Sequence, residues 1–278
     1  MPSKSVFSKR GAALRPQTAV NALIRGASMR LKPIYHDIIA DVVKKTLSYG
    51  QASEAVRARE AEFSRPDIKR ILDEYDEDIQ AVLMPAATTA ARMSVNSVVA
   101  AFGAKYSAQF FNTAVRPVIA ARIFKIVTTE ITPSIEASLK AKFNTAIQDG
   151  WSLKKLADNL NELKGNYSTI ARTEVLSASS QAERIQTSQQ VAELGIAGRT
   201  VKEWHTSGSG KERDAHIEAA IKYGAGNGIP YTDDFVLSTP GGGTESAFAP
   251  MSPWLSAANF INCQCHMVVR VLPAEVAA

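Results

Sequence analysis

The residues with the most chemistry in this chain stand close together near its end. Both cysteines, Cys263 and Cys265, and three of the four histidines, His205, His216 and His266, lie between positions 205 and 266. In extended backbone a Cys-x-Cys pair projects both sulfurs from one face, since side chains i and i+2 point the same way. The two sulfurs join poorly to each other, because so small a ring distorts the disulfide torsion. They can instead converge on a third group. Zinc accepts thiolates and imidazoles tetrahedrally, which makes His216 the natural third donor and His205 the best fourth. His266 alternates to the opposite face of the same run. The competing reading has no metal: two small buried thiols beside a histidine that hydrogen-bonds a buried group. The spacing supplies no unambiguous fourth donor, so the metal-free packing is preferred. A nucleophilic Cys–His pair lacks a nucleophile elbow and an orienting acid.

The elements that must position these residues read as α+β. The first two-thirds is helix after helix, followed by a small C-terminal module with a hairpin-like strand pair, a short helix and a long loop. Pro33 suits the first turn of a helix that carries Ile34, Ile38, Ile39, Val42, Val43 and Leu47 and stops at Gly50. Pro66 opens a second, with one apolar face from Ile68 to Leu83 ending before Pro85. The alanine-rich run Ala86 to Phe111 favours a third. Further helices are expected at 118–129, 133–148, 152–163 and 167–194. Beyond Gly195, Thr200 to Thr206 is β-prone, Lys211 to Tyr223 is a short helix, and 224–253 is a glycine- and proline-rich loop. Ile261 to Leu272 alternates as a strand and pairs with the first across that loop. Trp204 belongs in the core. Arg172 and Glu174, two positions apart on the long helix, cannot share a face, and their partners are expected in the C-terminal module.

Composition sets the outer limits. The chain has 278 residues, of which 45% are hydrophobic and 21% charged, as in ordinary folded proteins. No window approaches the ~18 apolar residues of a membrane span, and no apolar run suits a secretory signal. A reducing cytoplasm, or an assembly built there, is therefore expected, and Cys-x-Cys is no disulfide framework. The net charge of +5 is uneven. Residues 1–36 hold Lys4, Lys9, Arg10, Arg15, Arg25, Arg30 and Lys32 and no acid, while the remainder has 25 basic and 27 acidic residues. Residues 1–32 read as a basic arm, able to grip duplex DNA or an acidic protein surface, or simply to be solvated.

Several short motifs, in order, resemble the Mu F-like minor head protein family, also called phage head morphogenesis proteins. They are Gly150-Trp151-Ser152-Leu153 leading to Leu156-Ala157, then Ile170-Ala171-Arg172-Thr173-Glu174, Trp204, Arg213-x-x-His216 and Asn262-Cys263-Gln264-Cys265. The resemblance covers about residues 130–272, dividing the chain into an arm (1–32), a helical region (33–129) and a head-morphogenesis domain (130–278). Two positions depart from the family pattern. Gly208-Ser209-Gly210 stands where an aspartate is usual, and Gln264 where an arginine is. The resemblance implies a non-enzymatic virion component, associated with portal and capsid proteins at the portal vertex during head assembly and acting with packaged or ejected DNA. The main rival is a small zinc-assisted nuclease or hydrolase using His205, His216, Cys263 and Cys265, with Asp214 or Glu218 as base. An ADP-ribosyl-transfer enzyme would need a nicotinamide-cofactor signature that the sequence does not show.

Overall fold

The computed structural model describes residues 17–50, 65–163 and 165–273. The fold is α+β, mostly helical with a small C-terminal antiparallel strand module. It divides into two compact units. One comprises residues 25–85 and 120–171; the other comprises 1–24, 86–119 and 172–278. Among the described residues, no helix is long and apolar enough to cross a membrane.

The first unit is built by apolar periodicity. Helix α1 (Gln17–Gly50) continues straight through Pro33, correcting the expectation that Pro33 starts it. The reason is phase. Leu31, Ile38, Ile39 and Val42 keep one buried stripe across the proline, and that burial outweighs the lost hydrogen bond. The segment expected as one helix from Pro66 to Leu83 is two, α2 (Arg65–Glu74) and α3 (Asp76–Ala101), and α3 runs through Pro85. Their junction is tied by Tyr75, whose hydroxyl donates to Asp41 at 2.7 Å, and by Thr132, which donates to Asp76 at 2.5 Å. Helix α6 (Thr132–Gln148) matches its expected span and stops at Gly150, where φ is +64°. Helix α7 (Leu153–Asn161) is capped by Ser152.

Correction is also needed at the basic arm. Lys4, Lys9, Arg10 and Arg15 lie outside the described residues, but Arg25, Arg30 and Lys32 are exposed positions on α1. Residues 17–32 are helix with Val20, Ile24, Ala27 and Leu31 buried, so an arm extending to residue 32 would take core with it.

The second unit centres on two helices. Alanines 86, 87, 90 and 91 of α3 are fully buried, and beyond them Ser94 shares a 2.5 Å hydrogen bond with Ser179 of α8 (Tyr167–Glu193). The alanine-rich stretch expected to remain helical to Phe111 breaks after Ala101. The chain resumes as α4 (Ala108–Phe110), a π-helical turn over Phe111–Val115, and α5 (Arg116–Ile126). Helix α8 is unusual in burying polar groups, among them Ser177, Ser180, Gln181 and Thr187. A buried polar group must be hydrogen-bonded, and α8 spends its groups on the following loops. Ser180 donates to the Pro250 carbonyl at 2.6 Å, and Ser188 meets Tyr231 at 2.9 Å.

The module after α8 is a three-stranded antiparallel sheet in the order β2-β1-β5, plus the hairpin β3-β4. Strand β1 (Thr200–His205) pairs along its whole length with β5 (His266–Val271), from Thr200 opposite Val271 to His205 opposite His266. Pairing of these strands was legible in the sequence. The loop expected over 224–253 is more structured than its composition suggested, since it carries β2 (Ile229–Pro230), β3 (Phe235–Ser238) and β4 (Thr244–Ala247). The last strand is also shorter than expected. Residues 257–260 form a helical turn, α10, and both cysteines precede β5. Helix α9 (Asp214–Tyr223) packs on β1 and β3.

Candidate metal centre

The site begins with a turn that only certain residues can make. Asn262 sits at φ +58°, a left-handed conformation that asparagine tolerates better than most residues with a Cβ. Its amide N–H donates to Thr173 Oγ1 at 3.0 Å, and its Oδ1 accepts from Arg172 Nη1 at 3.0 Å. Arg213 donates a guanidinium N–H to the Ile261 carbonyl. Two arginines and a threonine, from the start of α8 and the entrance to α9, thus fix the turn that delivers Cys263 and Cys265.

Both sulfurs then meet one imidazole. His216 Nδ1 lies 3.6 Å from Cys263 Sγ and 3.3 Å from Cys265 Sγ. The histidine and both cysteines are 1–2% exposed, and their donor atoms lie within 4.8 Å of one another. This is the one cluster of three or more such donors among the described residues that could hold a metal ion. The three residues that sequence reasoning grouped are together. A hydrogen bond from the Cys265 thiol lowers the Cys263 pKa, and contact with His216 adds to this against the penalty of burial. Cys265 is shifted the other way, by its hydrogen bond to Cys263, by burial and by the neighbouring negative charge. Of the two sulfurs, Cys263 is therefore the more acidic.

His205 does not join them, which corrects its assignment as fourth donor. Strand alternation explains why. Trp204 faces the cluster, with its ring 5.6 Å from that of His216, so His205 points to the other face of β1. There it stacks on His266 at 5.6 Å and contacts Glu203 Oε2 at 2.8 Å. Glu203, 1% exposed, also takes Arg270 Nε at 2.9 Å and the Gly226 N–H at 3.1 Å. Burial pushes its carboxyl pKa up, but the bonds from His205, Gly226 and Arg270 outweigh this and hold it below the usual range.

Sequence reasoning missed what lies beside Trp204 on the inner face. Lys202 is fully buried, donates to the Phe248 carbonyl at 2.8 Å, and places Nζ 3.3 Å from the Phe248 ring centroid, with Phe235 and Tyr231 further off. Burial lowers its pKa to about 8, against the opposing pull of Asp234 and Asp233. The signal was present in Val201-Lys202-Glu203-Trp204, where Lys202 shares a strand face with Trp204. Glu174 is buried on α8. Three glutamates of the module are already engaged. Glu245 accepts from the Ser256 N–H and Oγ and from Asn259, while Glu212 accepts from Ser207 and Ser209. Glu218 accepts from Ser238.

In comparisons with protein-family models, curated proteins and solved structures, none matched this chain.

Proposed function

We propose that this chain is a structural minor component of a bacteriophage head, taken up at the portal vertex during assembly, and not an enzyme. One observation carries the reading. Six of the residues that resemble the head-morphogenesis pattern, Arg172, Arg213, His216, Asn262, Cys263 and Cys265, are far apart in sequence yet meet around one turn at 261–265. Their bonds end on backbone carbonyls, an amide side chain and each other, which is how a structural staple is built. A hydrolase would need a substrate path to the metal and a free base beside it. Here the donors are buried, Glu218 is bonded to Ser238, and Asp214 is an exposed residue in the first turn of α9. Within this reading any metal in the cluster is structural, and zinc is the one its donor set favours.

The test is co-expression with the cognate portal protein, followed by purification of heads. Recovery of the chain with portal and in mature particles is the expected result, and absence from both rejects the reading. DNA contact through Lys4, Lys9, Arg10, Arg15 and the exposed Arg25, Arg30 and Lys32 belongs to the same proposal. It should weaken steeply with salt. The informative truncation removes residues 1–16, because a cut at 32 also deletes the buried Val20, Ile24, Ala27 and Leu31.

A further inference from the structure

We infer that His216, Cys263 and Cys265 form a resident Zn²⁺ site, with the metal bound through His216 Nδ1 and both sulfurs. This deepens the structural reading above, naming the occupant of the staple and the atoms that hold it.

Geometry comes first. Zinc bonds of about 2.3 Å to sulfur and 2.0 Å to nitrogen, spread tetrahedrally, separate a sulfur from a nitrogen by about 3.5 Å. The two separations are 3.3 and 3.6 Å, both measured from the same ring nitrogen. Both nitrogen–sulfur separations therefore match a shared ion, and all three donor atoms lie within 4.8 Å of one another.

The second ground is the environment of the imidazole. His216 is 2% exposed, and its Nε2 has no hydrogen-bond partner among the described residues. All its polar contacts are thus with two sulfurs, which are weak hydrogen-bonding atoms. Burying an imidazole for such partners is unfavourable. At Nδ1 a metal bond changes that balance, because it replaces two weak contacts with coordination and sets the ring's proton on Nε2. Charge points to the same occupant. Each ligating thiol gives its proton to solvent, and two thiolates with a neutral imidazole cancel a divalent cation. No net charge is then left buried, as burial demands.

The donor types select the metal. Thiolate and imidazole together suit zinc and disfavour the oxygen-seeking cations magnesium and calcium. Glu245 interacts electrostatically with His216, and Glu212 with Cys265. Both are committed to serine and asparagine partners. Among the described residues three donors meet here, and all three are buried.

The experiment uses the full chain purified without chelator from zinc-replete medium. Elemental analysis should give about one zinc per chain, and replacement by Co²⁺ should give the near-ultraviolet sulfur-to-cobalt band of a thiolate site. Thiol titration of the native protein should find both cysteines protected until chelator is added. His216→Ala and Cys265→Ser should weaken binding more than about 100-fold, whereas His205→Ala should leave the metal content unchanged. Should the ligand variants fail to fold, the cobalt band and the thiol protection still decide on the unaltered chain. Zinc well below stoichiometric with no cobalt band overturns the inference, and so does loss of zinc in His205→Ala alone. Head incorporation is scored separately. Zinc-loaded protein that never enters heads sinks the assembly reading, and zinc-free protein that does enter sinks this one.

Discussion

The helical unit over 25–85 and 120–171 and the strand module over 200–272 reach a fixed structure by different means. In the helical unit, the interior includes Leu31, Ile38, Leu72, Leu83, Ile123, Leu139, Leu156 and Leu160, all nearly inaccessible, while the pairs Lys69–Asp73 and Arg70–Glu74 sit on the surface. Dispersion and water exclusion hold it, and neither is directional. In the strand module, Lys202, Glu203, His216 and Asn259 are as buried as the aromatics beside them. A buried polar group tolerates only one arrangement of partners. The comparison teaches that the helical unit is specified by pattern and the module by particular atoms. Substitutions should therefore be graded in the first and selective in the second.

The largest expected effect tests the module's aromatic centre. Trp204 is wholly buried, edge-on to Phe235 at 5.4 Å and to His216. Trp204→Ala should cost about 3–5 kcal/mol, with loss of hydrogen-exchange protection in β1, β5 and α9. Leu139→Ala, equally buried in α6, should cost about 2–5 kcal/mol with protection lost over the helices instead. If both variants open the same set of amides, the contrast between the two regions fails.

Next comes the buried carboxylate. Glu203→Gln keeps the shape but weakens the bonds from Arg270 and His205, for a loss of about 1–3 kcal/mol at neutral pH. The sign of the pH dependence follows from the lowered pKa. The charged form is favoured in the folded state, so its stabilisation is complete above the unfolded value of about 4.3 and fades as pH falls through the folded one. Denaturation of both proteins from pH 7 to 3 should show the gap closing below about pH 4. A gap that is constant with pH would mean that the carboxylate's charge contributes nothing.

How much of this was legible follows from the same division. Helices α6 and α8 and the pairing of β1 with β5 were readable, because periodicity and stop signals such as Asp149-Gly150 agreed with the tertiary outcome. Helix α1 was misread at Pro33 because proline is a strong local signal, whereas Ala27 is a weak apolar one that hides the stripe running back to Val20. The cluster of His216 with the cysteines could be found from residue type alone. Its supports could not. That Thr173 meets the Asn262 backbone, or that Lys202 lies under Phe248, depends on distances between residues 89 and 46 positions apart, which no local pattern encodes. His205 was excludable in principle, since alternation places it opposite Trp204.

Asn262 separates backbone preference from side-chain contact. Asn262→Ala loses the Arg172 bond and puts a plain Cβ in the left-handed region, for about 1–2 kcal/mol in all. Asn262→Gly loses only the bond and should cost less than the alanine variant. Thermal melts of the pair decide this. Equal losses would mean that the turn does not depend on its positive φ.

Lys202 gives a smaller net change with a diagnostic slope. Its folded pKa is about 8, below the ordinary value. From about pH 8 to 10.4 the unfolded chain holds a proton that the native one lacks, so stability contributed here rises with pH. Lys202→Met should shift stability at pH 7 by no more than about 1 kcal/mol, because relief of the buried charge offsets the orphaned Phe248 carbonyl. The difference between variant and parent should move in the parent's favour as pH climbs through that window. No movement would mean that the ammonium is better solvated than its burial implies.

The smallest expected effect lies on the helical unit's surface and sharpens the contrast from the other side. Lys69 and Asp73 pair at 2.8 Å, one helical turn apart on α2, with both side chains half or more exposed. By distance this pair is as good as the one between Glu203 and Arg270. Burial differs, and burial decides. In water the charges are screened, each side chain gives up rotamer freedom to hold the geometry, and either is well solvated without its partner. Asp73→Asn should therefore leave the denaturation midpoint unchanged within error, at low and high salt alike, whereas Glu203→Gln should shift it clearly. A comparable loss from Asp73→Asn would show that the helical unit also depends on particular polar atoms. The division between pattern and atoms would then have to be redrawn.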